Sequence, residues 1–328
     1  MRILWPHNFD PKNESSGHFM HLAAQGMKEL GVDVELLYLG NLRTLEGMYR
    51  ANRMLSELSN QFDIIHSQYG SACALIVSKT KAKRKVVTLR GSDLTPISPS
   101  ISFAWIHSKL AEFLTRTSLS KFDHIIAVSN RMRCVVSQLA PQIPCDVLPS
   151  PIDLNFFKPI KNKQIEKEKL DFANSQKKWI LFTTLSTSND VKNYKLACAT
   201  IDYVNRVSSN KVMLRVATNL TRKQMPIFVG TCDVALCTSH SEGWPNSIKE
   251  ALAANVPFVS TDVSDLIEIA NNDSSCRVCP EDPVIIGNSI LDVLDRPRLS
   301  ELRHFVQPMS VEMVSARTHA IYQELMSN

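Results

Sequence analysis

Residues 239–253 read Ser239-His-Ser-Glu-Gly-Trp-Pro-Asn-Ser-Ile-Lys-Glu-Ala-Leu-Ala and follow the short apolar run Asp233-Val-Ala-Leu-Cys237. That run has the composition of a buried strand. The stretch after it has the chemistry of a helix start, because Pro245 presets the backbone and Asn246 and Ser247 favour a first turn. Gly243 removes a side chain where a ligand would approach the backbone. In an open parallel sheet, ligands gather beyond the carboxyl ends of the strands, so Glu242 and Gly243 are expected there. Free N–H groups of the helix start would then face a phosphate or a hydroxylated ring. Glu250 follows Glu242 by eight residues, which lets the two carboxylates address one pocket at different depths. One could hold a sugar and the other a ribose; the competing reading is a capping carboxylate followed by a solvated helical Glu.

The same alternation of short β-branched runs and helical patterns extends along the chain, the signature of βαβ units around a parallel sheet. Strands are expected at 2–5, 33–39, 63–67, 85–89 and 124–129 in the first half. In the second half they are expected at 179–184, 211–217, 233–238 and 257–261. Between the halves, Leu148-Pro-Ser-Pro-Ile-Asp, Phe156-Phe-Lys-Pro and the charged stretch 161–169 read as a linker. The expected domains are 1–155 and 156–308, with a last helix, 311–326, able to pack on either.

A length of 328 residues exceeds one ordinary domain, and 44% hydrophobic with 21% charged residues excludes a disordered or collagen-like chain. No apolar run is long enough for a membrane span, and Met1 to Trp5 leads into polar residues, so a cytoplasmic protein is expected. The net charge of +5 is concentrated early: residues 1–155 carry 17 Lys/Arg against 13 Asp/Glu, the remainder 20 against 19. Lys79, Lys81, Lys83, Arg84 and Lys85 form a basic cluster that suits either an anionic membrane surface or a solvated helix end. No nucleic-acid module accompanies it. Cys276 and Cys279 have C-x2-C spacing and Cys232 and Cys237 could complete a zinc set, but Cys237 ends an apparent buried strand, which favours reduced core thiols. Neither G-x-G-x-x-G nor a Walker A pattern occurs, which removes the main support for dinucleotide and P-loop chemistry.

The stretch Glu242-Gly-Trp-Pro-Asn-Ser-Ile-Lys-Glu250-Ala-Leu-Ala-Ala-Asn-Val-Pro-Phe-Val-Ser-Thr-Asp262 resembles the E-x7-E signature of family-four retaining glycosyltransferases. Asp63-Ile-Ile-His-Ser-Gln-Tyr-Gly, Val86-Val-Thr-Leu-Arg-Gly-Ser-Asp, His124-Ile-Ile-Ala-Val-Ser, Val147-Leu-Pro-Ser-Pro-Ile-Asp and Val191-Lys-Asn-Tyr look like the family's successive landmarks. The resemblance implies an α/β GT-B architecture: two Rossmann-like, doubly wound parallel-sheet domains facing across a cleft. It also implies that the last helix, 309–328, returns to the first domain. By the same resemblance Glu242 approaches a donor sugar, and backbone amides from Gly243, Trp244, Pro245 (through its neighbours) and Asn246, with Ser247, surround its hydroxyls and phosphate. Glu250 binds the ribose, and Lys192 neutralises the diphosphate. The implied donor is a nucleotide sugar, with no metal or other cofactor required, and no D-x-D motif argues for one. The implied acceptor is a glycan or lipid-linked glycan of bacterial surface polysaccharide, made at the inner face of the cytoplasmic membrane.

Several positions depart from the family pattern. No Arg precedes Lys192 in Leu185-Ser-Thr-Ser-Asn-Asp-Val, and Arg222 is the candidate replacement; its competing reading is a surface residue at a helix start. The usual paired glycines of the first helix are reduced to Ser15-Ser16-Gly17, which keeps two hydroxyls and one flexible position for a phosphate. Arg90 stands before Gly91 where many relatives carry His; it cannot act as a base but can hold an anion or a developing negative charge. His66 and His7 end or follow strands on the same face and are acceptor-side candidates, or hydrogen-bonded structural residues. Two other functions stay open: an epimerase or hydrolase of nucleotide sugars, and a nucleotide-sugar-binding partner without turnover.

Overall fold

The computed structural model describes residues 1–11, 17–94, 103–209, 211–296 and 301–327. The chain divides into two compact units, Met1–Pro151 with Met309–Asn328, and Ile152–Pro308.

In the first unit, β1 (Ile3–His7), α1 (His18–Glu29), β2 (Val34–Tyr38), α2 (Leu45–Leu58), β3 (Ile64–Ser67) and α3 (Ser71–Ser78) come first. They are followed by β4 (Arg84–Leu89), α4 (Phe103–Ser118), β5 (His124–Ala127), α5 (Asn130–Leu139) and β6 (Cys145–Val147). The strands are parallel, in the order β2-β1-β3-β4-β5-β6. Near-continuous apolar strands such as Ile64–Ser67 and His124–Ala127 are fully buried, as expected of a sheet with helices on both faces.

The second unit contains α6 (Lys163–Asp171), β7 (Lys178–Thr183), α7 (Tyr194–Val207), β8 (Val212–Ala217), α8 (Met225–Thr231) and β9 (Val234–Cys237). It continues with α9 (Asn246–Ala253), β10 (Phe258–Thr261), α10 (Leu266–Asn272), β11 (Arg277–Cys279) and α11 (Pro283–Asp295). Its strands are parallel in the order β11-β10-β9-β7-β8. Ile180, Phe182, Val234 and Val259 meet Ile201, Val204, Ile286 and Ile290 of α7 and α11 in its core.

The closing helix α12 (Val311–Ser327) belongs to the first unit and packs on α1. The approach is close enough that any side chain on Gly26 would run into Ser315 and Val311. Ile321 and Tyr322 of α12 complete a core with Trp5, Met20 and Met27.

Two parts of the sequence reading are corrected. The stretch 161–169 is largely helix, not linker: Asn162 Oδ1 accepts the Ile165 N–H at 3.2 Å to start α6. Its Lys167 is buried, with Nζ 2.6 Å from Asp233 Oδ2 and 5.2 Å from the Trp179 ring centroid. A lysine that pairs internally looks like solvent-facing polarity in sequence. The three-residue edge strands β6 and β11 were not expected, because Cys-Asp-Val and Arg-Val-Cys are too short and too mixed in polarity to show a period. Among the described residues no helix is long and apolar enough to cross a membrane.

Candidate functional site

In the second unit the chain runs from β7 outward to β8 and then returns to place β9 on the other side of β7. The strand order therefore reverses between β7 and β9, and the crevice beyond their carboxyl ends is the favoured ligand position of such a sheet. The loops leaving these two strands carry Lys192 and Glu242. Lys192 Nζ lies 2.6 Å from Glu242 Oε1, and Ser239 Oγ donates to the same oxygen at 2.8 Å.

Hydroxyls at the strand ends hold this arrangement. Thr238 Oγ1 lies 2.8 Å from Lys192 O and 3.0 Å from Asn193 O, and the His240 N–H donates to Val191 O at 2.9 Å. Thr261 Oγ1, at the end of β10, donates to Ser239 O at 2.6 Å, and Ser264 Oγ donates to Gly243 O at 2.6 Å. Asn193, in the left-handed region at φ 49, turns the chain into α7 and accepts the Leu196 N–H at 3.3 Å. Between β7 and Lys192 the loop is tied by its own side chains, with Thr184 Oγ1 donating to Ser186 O at 2.7 Å.

Pro245 caps α9 without a side-chain bond, and its carbonyl accepts the N–H groups of Ile248 and Lys249. Among the described residues the earlier amides of Asn246 and Ser247 have no acceptor, as is usual for the first donors of a helix start. Trp244 is buried, so at that position only the backbone can meet a ligand.

The electrostatics join Glu250 and Arg222 to the pair. Burial pushes the Glu250 carboxyl up to about 7, against the opposing charges of Lys249, Arg222 and Lys192. Burial would lower Lys192, but the Glu242 carboxylate overcomes it, aided by Cys237 and Glu250, and holds the ammonium above its ordinary value. Burial lowers the Arg222 guanidinium against the pull of Asp153 and Glu250; it sits 4.8 Å over the Phe156 ring. Lys192, Glu242, Glu250 and Arg222 thus form one alternating group of charges, suited to a ligand that carries both hydroxyls and phosphate. Among the described residues no group of three or more His, Cys, Asp or Glu could hold a metal ion.

In the first unit, Gly17 opens α1 at φ 70, and a Cβ there would lie 2.7 Å from Phe9 Cβ. Ser16 lies outside the described residues. His66 is sealed in the core: Nδ1 lies 2.5 Å from Tyr322 Oη and Nε2 2.7 Å from Thr88 Oγ1, leaving no ring nitrogen for a ligand. Arg90 lies 3.9 Å over the Phe19 ring and donates to Gln68 O, Gln68 Oε1 and Ser150 Oγ.

Residues 14–156 match the family described as Glycosyltransferase Family 4, and residues 199–296 match Glycosyl transferases group 1. The chain belongs to glycosyltransferase family 4. This family-4 glycosyltransferase is similar along its whole length to solved structures. Sucrose-phosphate synthase from Thermosynechococcus elongatus is 11% identical, with a TM-score of 0.81 over 100% of this chain and 99% of that one. Anabaena HepE, solved with UDP-glucose, is 13% identical, with a TM-score of 0.74 over 99% and 100%. WaaG, a glycosyltransferase involved in lipopolysaccharide biosynthesis, is 11% identical, with a TM-score of 0.71 over 98% and 99%. At these identities the likeness establishes the GT-B fold of two Rossmann-like domains. No curated protein matches by sequence.

For this glycosyltransferase the sequence reading missed the hydroxyl scaffold of Thr238, Ser239, Thr261 and Ser264. A Ser or Thr directly after an apolar strand was the available signal. It also missed Lys249, which is fully buried within α9 with Nζ 5.7 Å from the Trp244 ring centroid. A lysine inside an amphipathic helix pattern carries no mark of burial.

Proposed function

We propose that this glycosyltransferase is a retaining enzyme that moves a sugar from a nucleoside-diphosphate sugar to a glycan or lipid-linked glycan in bacterial surface polysaccharide synthesis. The observation that carries the reading is the 2.6 Å Lys192–Glu242 pair at the β7/β9 reversal, beside the open amides of α9 and the carboxylate of Glu250. Lys192 faces the diphosphate, Glu242 the sugar hydroxyls and Glu250 the ribose; Arg222 adds charge on the nucleotide side. HepE, solved with UDP-glucose, supports the donor class, and WaaG, involved in lipopolysaccharide biosynthesis, supports the surface-glycan setting.

The bond from the sugar's anomeric carbon to the β-phosphate oxygen breaks, and the acceptor oxygen bonds that carbon on the same face. The acceptor's proton passes to the departing phosphate, and the nucleoside diphosphate leaves. Lys192 and the α9 amides stabilise the charge that develops on it. Glu242 is tied to Lys192 and Ser239, which suits a positioning role better than covalent attack. In the first unit, Arg90 is a further candidate for holding negative charge. No metal is required.

Thermal-shift screening with nucleotide sugars, followed by transfer assays with and without EDTA and NMR of the product's anomeric configuration, tests the whole reading. Inversion, loss of activity in EDTA, or consumption of donor without acceptor overturns the corresponding part.

A peripheral contact with anionic membrane belongs to the same proposal. On α4, Ile106, Leu110 and Phe113 are exposed along one face with Lys109 and Arg116, and Lys79, Lys81 and Lys83 are exposed just after α3, the helix that packs on α4. Apolar anchors edged by lysine and arginine suit a negatively charged bilayer surface. Replacing Ile106, Leu110 and Phe113 by Ser should abolish co-sedimentation with phosphatidylglycerol vesicles; unchanged binding removes the contact.

A further inference from the structure

Among the described residues Arg90 makes its side-chain hydrogen bonds to neutral acceptors, with Asp93 the carboxylate whose field opposes the cost of burying it. Among the described residues no carboxylate lies within ion-pair distance of its guanidinium; the nearby Asp93 spends its oxygens on the N–H groups of Gly70, Arg90 and Gly91 instead. Three guanidinium N–H groups are used, on Gln68 O, Gln68 Oε1 and Ser150 Oγ, and all three acceptors are neutral.

Beside it is a cavity of about 30 Å³ lined by Gln68, Arg90, Thr88, His66 and Ser150 among apolar neighbours. That is room for one compact ion or a pair of waters. Gln68 is buried, and its Nε2 has no hydrogen-bond partner. Thr88 supplies another donor, by an argument that starts at Trp5. Trp5 Nε1–H donates to Tyr322 Oη at 2.8 Å, so the buried phenol can place its own proton only on His66 Nδ1. His66 Nε2 then carries the ring proton and donates to Thr88 Oγ1 at 2.7 Å, which leaves the Thr88 hydroxyl proton free. A guanidinium, an amide N–H2 and a hydroxyl therefore converge on one small space where the Asp93 carboxylate acts on the guanidinium only from beyond ion-pair distance, and a buried cation held by neutral acceptors is costly.

We propose that this cavity binds a free halide-sized anion, held by Arg90, Gln68 and Thr88. The site lies wholly within the first unit and does not depend on the donor reading of the second.

The test uses the full chain without substrate. A crystal soaked in bromide should show an anomalous peak in contact with Arg90 and Gln68; density for water alone at that position overturns the proposal. In solution, the melting temperature should rise with chloride or bromide and stay flat with gluconate at equal ionic strength. Equal response to all three salts overturns it. Gln68→Glu places a carboxylate of the same shape beside Arg90. It should abolish the halide response and melt, in gluconate, at or above the wild type. A retained halide response in that variant overturns the assignment, and if Gln68→Glu does not fold, Thr88→Val should weaken the response instead.

Discussion

Lys192 Nζ and Glu242 Oε1 stand 2.6 Å apart although fifty residues separate them in sequence, each in the loop that leaves one of two neighbouring strands, β7 and β9. The ammonium that the proposed mechanism assigns to the diphosphate is, without ligand, already satisfied by the carboxylate assigned to the sugar. Binding a donor must therefore redistribute this contact: the phosphate takes over the cation, and the sugar hydroxyls take over Glu242.

Glu242→Gln and Lys192→Met should each reduce transfer by about 100- to 1000-fold, the range for losing one electrostatic stabiliser. Each single change strands the partner's charge and should cost about 1–3 kcal/mol, less than for a fully buried pair because both side chains keep some solvent. The double variant should recover stability but not turnover. Denaturant midpoints and initial rates for the four proteins give the coupling directly, and additive stability losses would dissolve the pair.

Glu250 has a carboxyl raised by burial to about 7 from an ordinary 4.5. The folded state thus holds the proton more tightly than the unfolded one. Its contribution to stability is complete below pH 4.5 and is lost as the pH rises through 7. Glu250→Gln removes that loss, so the variant should match the wild type near pH 4.5 and exceed it above pH 7 by at most about 3 kcal/mol. Urea titrations at pH 5 and pH 8 check this. A gap that does not widen with pH refutes the burial argument.

Two buried histidines give the opposite slope. Burial pushes His66 well below 6.5, and burial with His21 pushes His7 to about 4. Both stay neutral in the fold while the unfolded chain takes up protons, so this stability is present above pH 6.5 and is lost as the pH falls toward 4. His7→Asn should flatten the acid limb of a stability–pH curve. An unchanged limb would show that His7 titrates normally.

Tyr322 links α12 to the first unit's core by accepting from Trp5 and donating to His66. Tyr322→Phe keeps the shape and leaves the Trp5 N–H and His66 Nδ1 without partners, at about 1–3 kcal/mol for each unsatisfied buried group. Gly26→Ala should destabilise the same contact by about 1–3 kcal/mol, since Ser315 and Val311 leave no room for a methyl. Thermal unfolding of both variants checks the seat of α12; wild-type midpoints would mean the helix is held elsewhere.

The sequence alone determined whatever rests on near neighbours along the chain. The alternation of strands and helices, the strand-to-helix junction at Gly243 and Pro245, and the Glu242–Glu250 spacing are local patterns, and they sufficed to identify the family and the two-domain parallel-sheet fold. The tertiary structure alone decided which of the charged residues face one another. It brought Lys192 onto Glu242, buried Lys167 against Asp233, closed both nitrogens of His66 from β4 and α12, and set the Arg90 guanidinium on the neutral acceptors of Gln68 and Ser150. The reason is physical: period and capping act within a few residues, whereas pairing and burial depend on strand order. That order brings together side chains as far apart as Trp5 and Tyr322.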